Sequence, residues 1–171
     1  MRGRAVSGYA SEMRGKPVFW TIVAVFVFFA VTMSVISWNV FANVRASART
    51  TDARLRELAW CVLAYADQND AFPTSETDLR AFVVAPEGVP AALKTSAPAG
   101  AERTYPTTRE AIGAPLPAPT LDECFDSLEV EWGLAGDVQP ILRSKGKPTL
   151  QGTTTSVGQW LFAMSERIRG G

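Results

Sequence analysis

Residues 17–41 read PVFWTIVAVFVFFAVTMSVISWNVF, a run of 25 positions without a charged side chain. At about 1.5 Å per residue a helix of this length reaches roughly 37 Å, more than a hydrocarbon core of about 30 Å. Trp20 and Trp38 lie near its two ends, where indole rings anchor a span at the membrane interfaces. The stretch therefore predicts one transmembrane helix, with Trp20 and Trp38 as its interface anchors.

Two other interpretations of this stretch are a buried core helix and a cleaved signal peptide. A core helix of a soluble protein is rarely this long and this free of polar residues. Ala46-Ser47-Ala48 has the small-x-small form of a signal-peptidase site. However, the apolar run exceeds the usual signal core of about 7–15 residues, and Arg45 interrupts the approach to that site. The sequence therefore favours an intact span.

Basic residues flank the span equally on both sides. Those before it are Arg2, Arg4, Arg14 and Lys16, and those after it are Arg45, Arg49, Arg54 and Arg56. The positive-inside count is therefore a tie. A short basic tail before a first apolar segment usually stays in the cytoplasm, so we expect residues 1–16 inside and the following domain outside.

Composition excludes several classes of function. The 17 basic and 17 acidic residues cancel, so no basic surface for nucleic acid is expected. The chain has no histidine and only two cysteines, which removes the most common proton-transfer group and any four-thiolate zinc site. No glycine-rich phosphate loop or nucleophile arrangement is present. We therefore predict no enzyme activity, no catalytic residues, no cofactor and no metal site.

The densest acidic group follows residue 121 and consists of Asp122, Glu123, Asp126, Glu129 and Glu131. A calcium loop needs alternating oxygen ligands around a central glycine, and that pattern is missing. A solvated face of a helix and a strand is the better interpretation.

Residues 42–70 predict an amphipathic helix that continues the span as a soluble stalk, because no glycine or proline interrupts it. Apolar residues recur at helical spacing along it: Leu55, Leu58, Ala59, Val62, Leu63 and Ala66. This stripe can face the protein's own sheet or a neighbouring subunit. Trp60 falls away from the stripe, and an exposed indole is as compatible with the pattern as a buried one. The interface candidates are Leu55, Leu58, Trp60, Val62 and Leu63.

Residues 71–171 predict a small α+β domain with a Pro-rich connection at 86–119. Ser75 with Asp78, and Thr120 with Glu123, have the spacing of capping boxes that open short helices. Thr107 with Glu110 has the same spacing. The segment 128–132 alternates apolar and acidic residues as a half-buried strand does, and 138–143 reads as the strand that returns.

Two further elements complete the predicted domain. The threonine-rich stretch 149–155 is a weaker strand candidate. Val157, Trp160, Leu161, Met164 and Ile168 share one face of a C-terminal amphipathic helix. The predicted fold is therefore α+β: a long N-terminal helix, a small antiparallel sheet, short helices and a C-terminal helix.

The two cysteines are a candidate disulfide. Cys61 lies at the rim of the stalk's apolar stripe, and Cys124 lies on the apolar face of its own short helix. If the domain is extracytoplasmic, the oxidising compartment allows them to pair. The alternative is two separate buried thiols that act as small hydrophobic side chains.

The segment from Tyr65 to Ser75, YADQNDAFPTS, carries a resemblance to a known family. Together with the basic leader and the apolar helix that becomes amphipathic, it resembles the type IV pilins and the type II secretion pseudopilins. The resemblance covers residues 14 to 83. In that family the long helix commonly ends in a tyrosine, an Asp/Asn-rich turn and an aromatic-Pro-Thr step. It implies a bacterial inner-membrane location and assembly into a filament or pseudopilus with the N-terminal helices packed in the centre.

The chain departs from the family at its N-terminus. Prepilins have a cleavage-site glycine, then an apolar residue, and a glutamate five positions on. Here Gly15 is followed by Lys16 and Pro17, the fifth residue after it is Trp20, and the apolar segment contains no acid. The cleavage motif and its glutamate are therefore lacking.

Two hypotheses of function follow. The first is a single-pass, membrane-anchored structural or assembly protein that is pilin-like and self-associates. The second is a non-catalytic binding or accessory subunit of a larger membrane complex. In both, the partners are the lipid bilayer and proteins that pack against the N-terminal helix.

Overall fold

The computed structural model describes residues 15–85, 88–95, 105–113 and 117–170. Most of the predicted tail 1–16 and parts of the connection 86–119 lie outside these residues. The chain divides into two compact units, Met1–Val44 and Arg45–Gly171. The architecture is the predicted α+β one, with a long N-terminal helix, a two-stranded antiparallel sheet, short helices and a C-terminal helix.

Helix α1 spans Gly15–Asn69 and is the predicted long helix. No glycine or proline occurs between Val18 and its end, so nothing in the backbone interrupts it. It ends where Asp70 adopts a left-handed φ of 49°, a conformation that aspartate tolerates better than most residues. The chain then turns, and the amide of Phe72 donates to the carbonyl of Gly136 at 2.6 Å.

Two short helices carry the capping residues that the sequence predicts. In α2 (Glu76–Val84), Ser75 Oγ accepts from the amide of Asp78. In α3 (Leu121–Ser127), Thr120 and Glu123 form a complete capping box. The Thr107 spacing does not open a helix, because residues 109–113 form only turns after Thr108 pairs with Ala92 in an isolated bridge.

The sheet consists of β1 (Leu128–Glu131) and β2 (Ile141–Ser144), paired antiparallel with Val130 opposite Leu142. The returning strand begins three residues later than the predicted 138. Pro140 has no amide hydrogen to donate to a ladder, so pairing begins only after it. Gly133 is required in the connection, since a Cβ there would collide with the carbonyl of Val138.

Helix α4 spans Thr153–Gly170, so the predicted strand at 149–155 is wrong. Gly152 has a φ of 91° and turns the chain, and the amide of Ser156 already bonds its carbonyl at 2.9 Å. Thr153 is buried at the start of the stripe that continues through Val157, Leu161 and Met164. Burial of that stripe outweighs the modest β-propensity of three threonines.

Candidate functional site

The first unit presents an apolar helix surface. Helix α1 is the one helix of the described residues that is long and apolar enough to cross a membrane, and its most apolar 18 residues have a mean hydropathy of 2.4. The exposed large hydrophobic side chains before Arg45 range from 49% to 76% accessible. Trp20 and Trp38 are among them, at 67% and 76%.

Two hydroxyl groups within this surface bond to backbone carbonyls of the same helix. Thr32 donates to the carbonyl of Phe28, and Ser34 donates to that of Ala30, each at 2.8 Å. Such bonds let polar side chains lie in a medium that offers no water. The surface is therefore apolar without unpaired hydroxyl donors at these two positions.

The interface candidates of the second half of α1 are not on a surface. Leu55, Leu58, Trp60, Val62 and Leu63 are all buried in the Arg45–Gly171 unit, at 1% exposure or less. They pack in one core with side chains such as Phe72, Leu128 and Leu161. The sequence left open whether the stripe faces its own domain or a neighbour, and the structure places it inside the domain. Of the two alternatives, the structure shows the first, because these five residues are core residues of their own unit.

Trp60 is buried because a second surface covers it, away from the leucine stripe. Its indole Nε1 donates to the carbonyl of Pro90 at 3.0 Å. The segment around Pro90 continues to Leu93, whose amide bonds the carbonyl of Thr107 at 2.9 Å. Thus the described part of the Pro-rich connection covers Trp60, a contact that helical periodicity alone does not show.

The two cysteines are free and buried in the structure. The Cys61 thiol donates to Glu57 Oε1 at 3.9 Å, and the Cys124 thiol donates to the carbonyl of Arg54 at 3.5 Å. Burial raises the pKa of Cys61, and it raises the pKa of Cys124 to about 12. Neither thiol is therefore a nucleophile at neutral pH. Their pairing in an oxidising compartment stays a prediction.

A buried ion pair fastens the end of α1 to α4. Arg167 Nη1 lies 2.9 Å from Asp67 Oδ1, and the Asp67 side chain is 1% exposed. Asp67 also accepts from the amide of Lys94 at 2.6 Å and from the hydroxyl of Thr95. We call these four residues the Asp67 clamp. It joins a helix end, a loop and the C-terminal helix through one carboxylate.

The clamp predicts a loss of stability in acid. Burial alone raises the pKa of Asp67, but hydrogen bonds from Thr95, Lys94 and Arg167 outweigh it, so the pKa lies below its usual value. The pKa of this carboxyl is lower in the folded protein than in the unfolded chain, where it is about 3.9. Its contribution to stability is therefore fully present above about pH 3.9, and it is lost as the pH falls through the pKa of the folded state. We expect the melting temperature to decrease when the pH is lowered below about 4. Near-ultraviolet circular dichroism measures this change.

The Asp67→Asn variant removes this titration and should show a flatter acid dependence than the parent. Asp70→Asn is the matched control. The Asp70 side chain pairs with the same arginine, but it is 87% exposed and the distance from Arg167 Nη2 to Asp70 Oδ1 is 3.5 Å, so the pair is weak. An Asp67→Asn profile that parallels the parent would contradict the assignment.

A cavity of about 570 Å³ lies within the Arg45–Gly171 unit. Its floor comes from α1 through Glu57 and Cys61, and its walls come from α2, from α3 and from the segments that carry Val89 and Arg109. We call it the Glu57 cavity. Its volume lies in the usual range for ligand pockets, about 300–1,000 Å³.

Glu57 and Arg109 meet at this cavity. Arg109 Nη2 donates to Glu57 Oε1. The Arg109 side chain is 28% exposed, and the Glu57 side chain is 6% exposed. Arg109 is held in place because its own amide bonds the carbonyl of Ala91 at 2.9 Å. Glu57 Oε2 and Arg109 Nε are buried and have no hydrogen-bond partner in the described part of the chain. Sequence reasoning missed both residues, since 52 positions separate them.

At the rim, Arg80 bridges two helices. Its guanidinium pairs with Glu76 of α2 at 2.6 Å and with Asp122 of α3 at 2.7 Å. It also lies over the Phe125 ring, 5.1 Å from the centroid. The members of the acidic group are exposed, as predicted for a solvated face, and Asp122 is its one member at the cavity. No group of three metal-ligating side chains occurs among the described residues.

No protein-family model, no curated protein and no solved structure matches this chain.

Proposed function

We propose that this protein is a single-pass membrane protein without catalytic activity, whose N-terminal helix anchors it and assembles it with other subunits in the manner of pilins and pseudopilins. The observation that carries the proposal is the apolar surface of α1 before Arg45. Monomeric soluble proteins rarely expose contiguous apolar patches above a few hundred Å². A helix apolar on all sides is stable in a bilayer, where every backbone group is paired within the segment.

The junction after α1 supports the pilin-like part of the proposal. The resemblance rests on a tyrosine, an Asp/Asn turn and an aromatic-Pro-Thr step at the end of a long helix. In this protein α1 ends at Asn69, Asp70 makes the left-handed turn, and Phe72 is buried at 2% exposure. The second half of the same helix forms the core of the domain.

The position of the small-x-small motif supports an intact N-terminus. Ala46-Ser47-Ala48 lies inside α1, and Ala48 is 5% exposed. Proteases cut exposed loop tips more readily than helices. Retention of the span makes the domain an anchored one, with the N-terminus proposed in the cytoplasm and the domain outside the bacterial inner membrane.

A second candidate function is a membrane-anchored accessory subunit of a hetero-complex. The missing acid in the span favours it, because no glutamate is present to dock one subunit on the next. Electron microscopy of the purified protein separates the two functions: filaments support pilin-like assembly, and a defined complex with other proteins supports the accessory role.

We expect the full chain to stay in the membrane fraction after an alkaline carbonate wash. Replacing Phe28 and Val31 by arginine should release a large share of it, since each arginine at a helix centre opposes insertion by about 2.5–3.5 kcal/mol. The control replaces Val84, an 83% exposed residue of the other unit, by arginine.

Two further measurements test processing and orientation. Intact mass should match the unprocessed chain, and protease added outside spheroplasts should digest the domain. A mature N-terminus at Lys16 or Arg49, or a protected domain, would contradict the corresponding part of the proposal.

A further inference from the structure

We propose that a group of four cations in the Arg45–Gly171 unit binds the anionic phosphate headgroups of the bilayer that holds the span. The four are Arg49, Arg54, Lys145 and Lys147, and we call them the Arg54 patch. The inference rests on the proposed membrane anchoring, but it does not depend on which side of the membrane the domain lies.

Three cations of the patch meet at the end of α3. Arg54 Nη1 and Lys147 Nζ both donate to Ser127 Oγ, the lysine at 3.1 Å. Lys145 Nζ donates to the carbonyl of Phe125 at 2.6 Å. Ser127 is buried, and its hydroxyl carries no charge. The fold therefore holds like charges side by side on neutral acceptors, an arrangement that an anion from outside relieves.

No ion pair neutralises the patch. In the part of the chain that the structure describes, none of its four members pairs with a carboxylate. The acids Glu123 and Asp126 of α3 pair with none of them, and Glu123 accepts instead from the amide of Thr120 at 2.9 Å. Six other arginines of the same unit do pair with carboxylates: Arg56, Arg80, Arg109, Arg143, Arg167 and Arg169. The patch therefore differs from the other described arginines of its unit in lacking internal anions.

The backbone presents both lysines in a fixed turn. The amide of Lys145 donates to the carbonyl of Ser127 at 2.9 Å, and Ser144 Oγ donates to the carbonyl of Lys147 at 2.7 Å. Gly146 lies between the lysines with a φ of 67°, which turns the chain. Both lysines are exposed, so a phosphate group can reach them from solvent. Ammonium and guanidinium groups bind phosphate oxygens through charge-assisted hydrogen bonds.

The membrane is the source of phosphate that the chain itself keeps close. Arg49 follows Phe41, the end of the apolar run, by eight residues, and Arg54 follows it by thirteen. At about 1.5 Å per helical residue these separations correspond to about 12 and 20 Å. The headgroup layer extends about 5–8 Å beyond the hydrocarbon core, and its attraction for cations reaches about 8–10 Å further at physiological salt. A lipid headgroup is therefore within reach of the patch, whereas a free phosphate ion is not held there.

The four lysines of the chain supply the readout: Lys16, Lys94, Lys145 and Lys147. Reductive methylation with isotope-labelled formaldehyde gives each ε-amino group a nuclear magnetic resonance signal and keeps its charge. The full chain is placed in nanodiscs of phosphatidylcholine alone, or of two parts phosphatidylcholine to one part phosphatidylglycerol. We expect the signals of Lys145 and Lys147 to differ between the two disc types. The difference should shrink in 1 M salt, where the screening length is only about 3 Å.

Lys94 is the internal control, because it lies elsewhere in the same unit. Its amide donates to Asp67 Oδ2 at 2.6 Å. Asp67 follows Arg54 by thirteen residues on α1, about 20 Å along the helix. The Lys94 signal should therefore be the same in both disc types.

Matched variants test whether the cations act together. Lys147→Gln should raise the share of phosphatidylglycerol that gives half of the Lys145 shift, by up to about fivefold, because each cation near an anionic surface adds to the attraction. Lys147 is exposed, so the fold should tolerate the change. Lys94→Gln should leave that share unchanged. Equal effects of the two variants would overturn the proposal.

The anchoring and the patch fail in different ways in this experiment. A chain that does not enter the discs overturns both. A chain that enters them, but whose Lys145 and Lys147 signals are the same in both lipids, overturns the patch alone. Glycerol phosphate added to phosphatidylcholine discs tests a free phosphate as the ligand. If it shifts the two lysine signals as strongly as phosphatidylglycerol does, the assignment to the lipid surface is wrong.

Discussion

Replacing Trp60 by alanine will destabilise the Arg45–Gly171 unit by about 3–5 kcal/mol. The indole is completely buried and its Nε1 bonds the carbonyl of Pro90 at 3.0 Å. Truncation leaves a large cavity and an unpaired carbonyl beside it. Domains are stable by only about 5–15 kcal/mol, so the variant should be near the limit of folding.

The two native thiols measure this effect directly. Cys61 and Cys124 are the only cysteines of the chain, and both are buried at 2% exposure or less. In the reduced protein their alkylation requires the unit to open, so faster labelling reports lost stability. Trp38→Ala is the control, because Trp38 lies on the same helix and is 76% exposed. Unchanged labelling in the Trp60 variant would show that the indole is not packed as described.

Replacing Arg167 by alanine should cost about as much, roughly 3–5 kcal/mol, because it leaves the Asp67 carboxylate buried without its cation. The Asp67 side chain is 1% exposed, so water cannot replace the lost partner without local opening. The same thiol labelling checks the result. We expect the opening to include the end of α1, which the Asp67 clamp fastens.

Arg169→Ala is the matched control for the clamp. Arg169 lies two residues after Arg167 on α4, but its side chain is 47% exposed and its ion pairs are 3.6 Å long. Surface pairs of this kind contribute about 0–1 kcal/mol. Equal losses in the two arginine variants would contradict a specific role for Arg167. In a double-mutant cycle, Asp67→Asn should recover part of the Arg167→Ala loss, since it removes the unpaired charge.

Local pattern was enough to predict the helices. The uncharged run from 17 to 41 and the uninterrupted stretch after it predict α1 because an α-helix depends on bonds only four residues apart. Ser75 and Thr120 predict the starts of α2 and α3 because a cap bonds a backbone amide two or three residues away. The alternation at 128–132 predicts β1 for the same reason.

Local pattern failed where another part of the chain decides the conformation. Residues 149–155 have the composition of a strand, yet Thr153 begins α4 because the buried stripe of that helix starts there. The threonine at 107 has the spacing of a cap, yet the Thr108–Ala92 bridge takes the backbone instead. Propensity is a weak prior, and tertiary packing overrides it.

The candidate site depends throughout on contacts between distant parts of the chain. Glu57 and Arg109 are 52 positions apart, and Asp67 and Arg167 are 100 positions apart. Each of these charges, taken alone in the sequence, is compatible with a solvated surface. Only the folded chain shows that the carboxylates are buried and which guanidinium pairs with each.

The sequence by itself determined the apolar span, the long helix, the capped helices and the α+β class, because hydrophobic periodicity and capping act within a few residues. Tertiary structure alone decided that the stripe of α1 packs inside its own domain, that Pro90 covers Trp60, and that Glu57 meets Arg109 beside a cavity. The physical reason is that burial, ion pairing and cavity formation depend on which distant segments are in contact. A local sequence pattern does not show which segments these are.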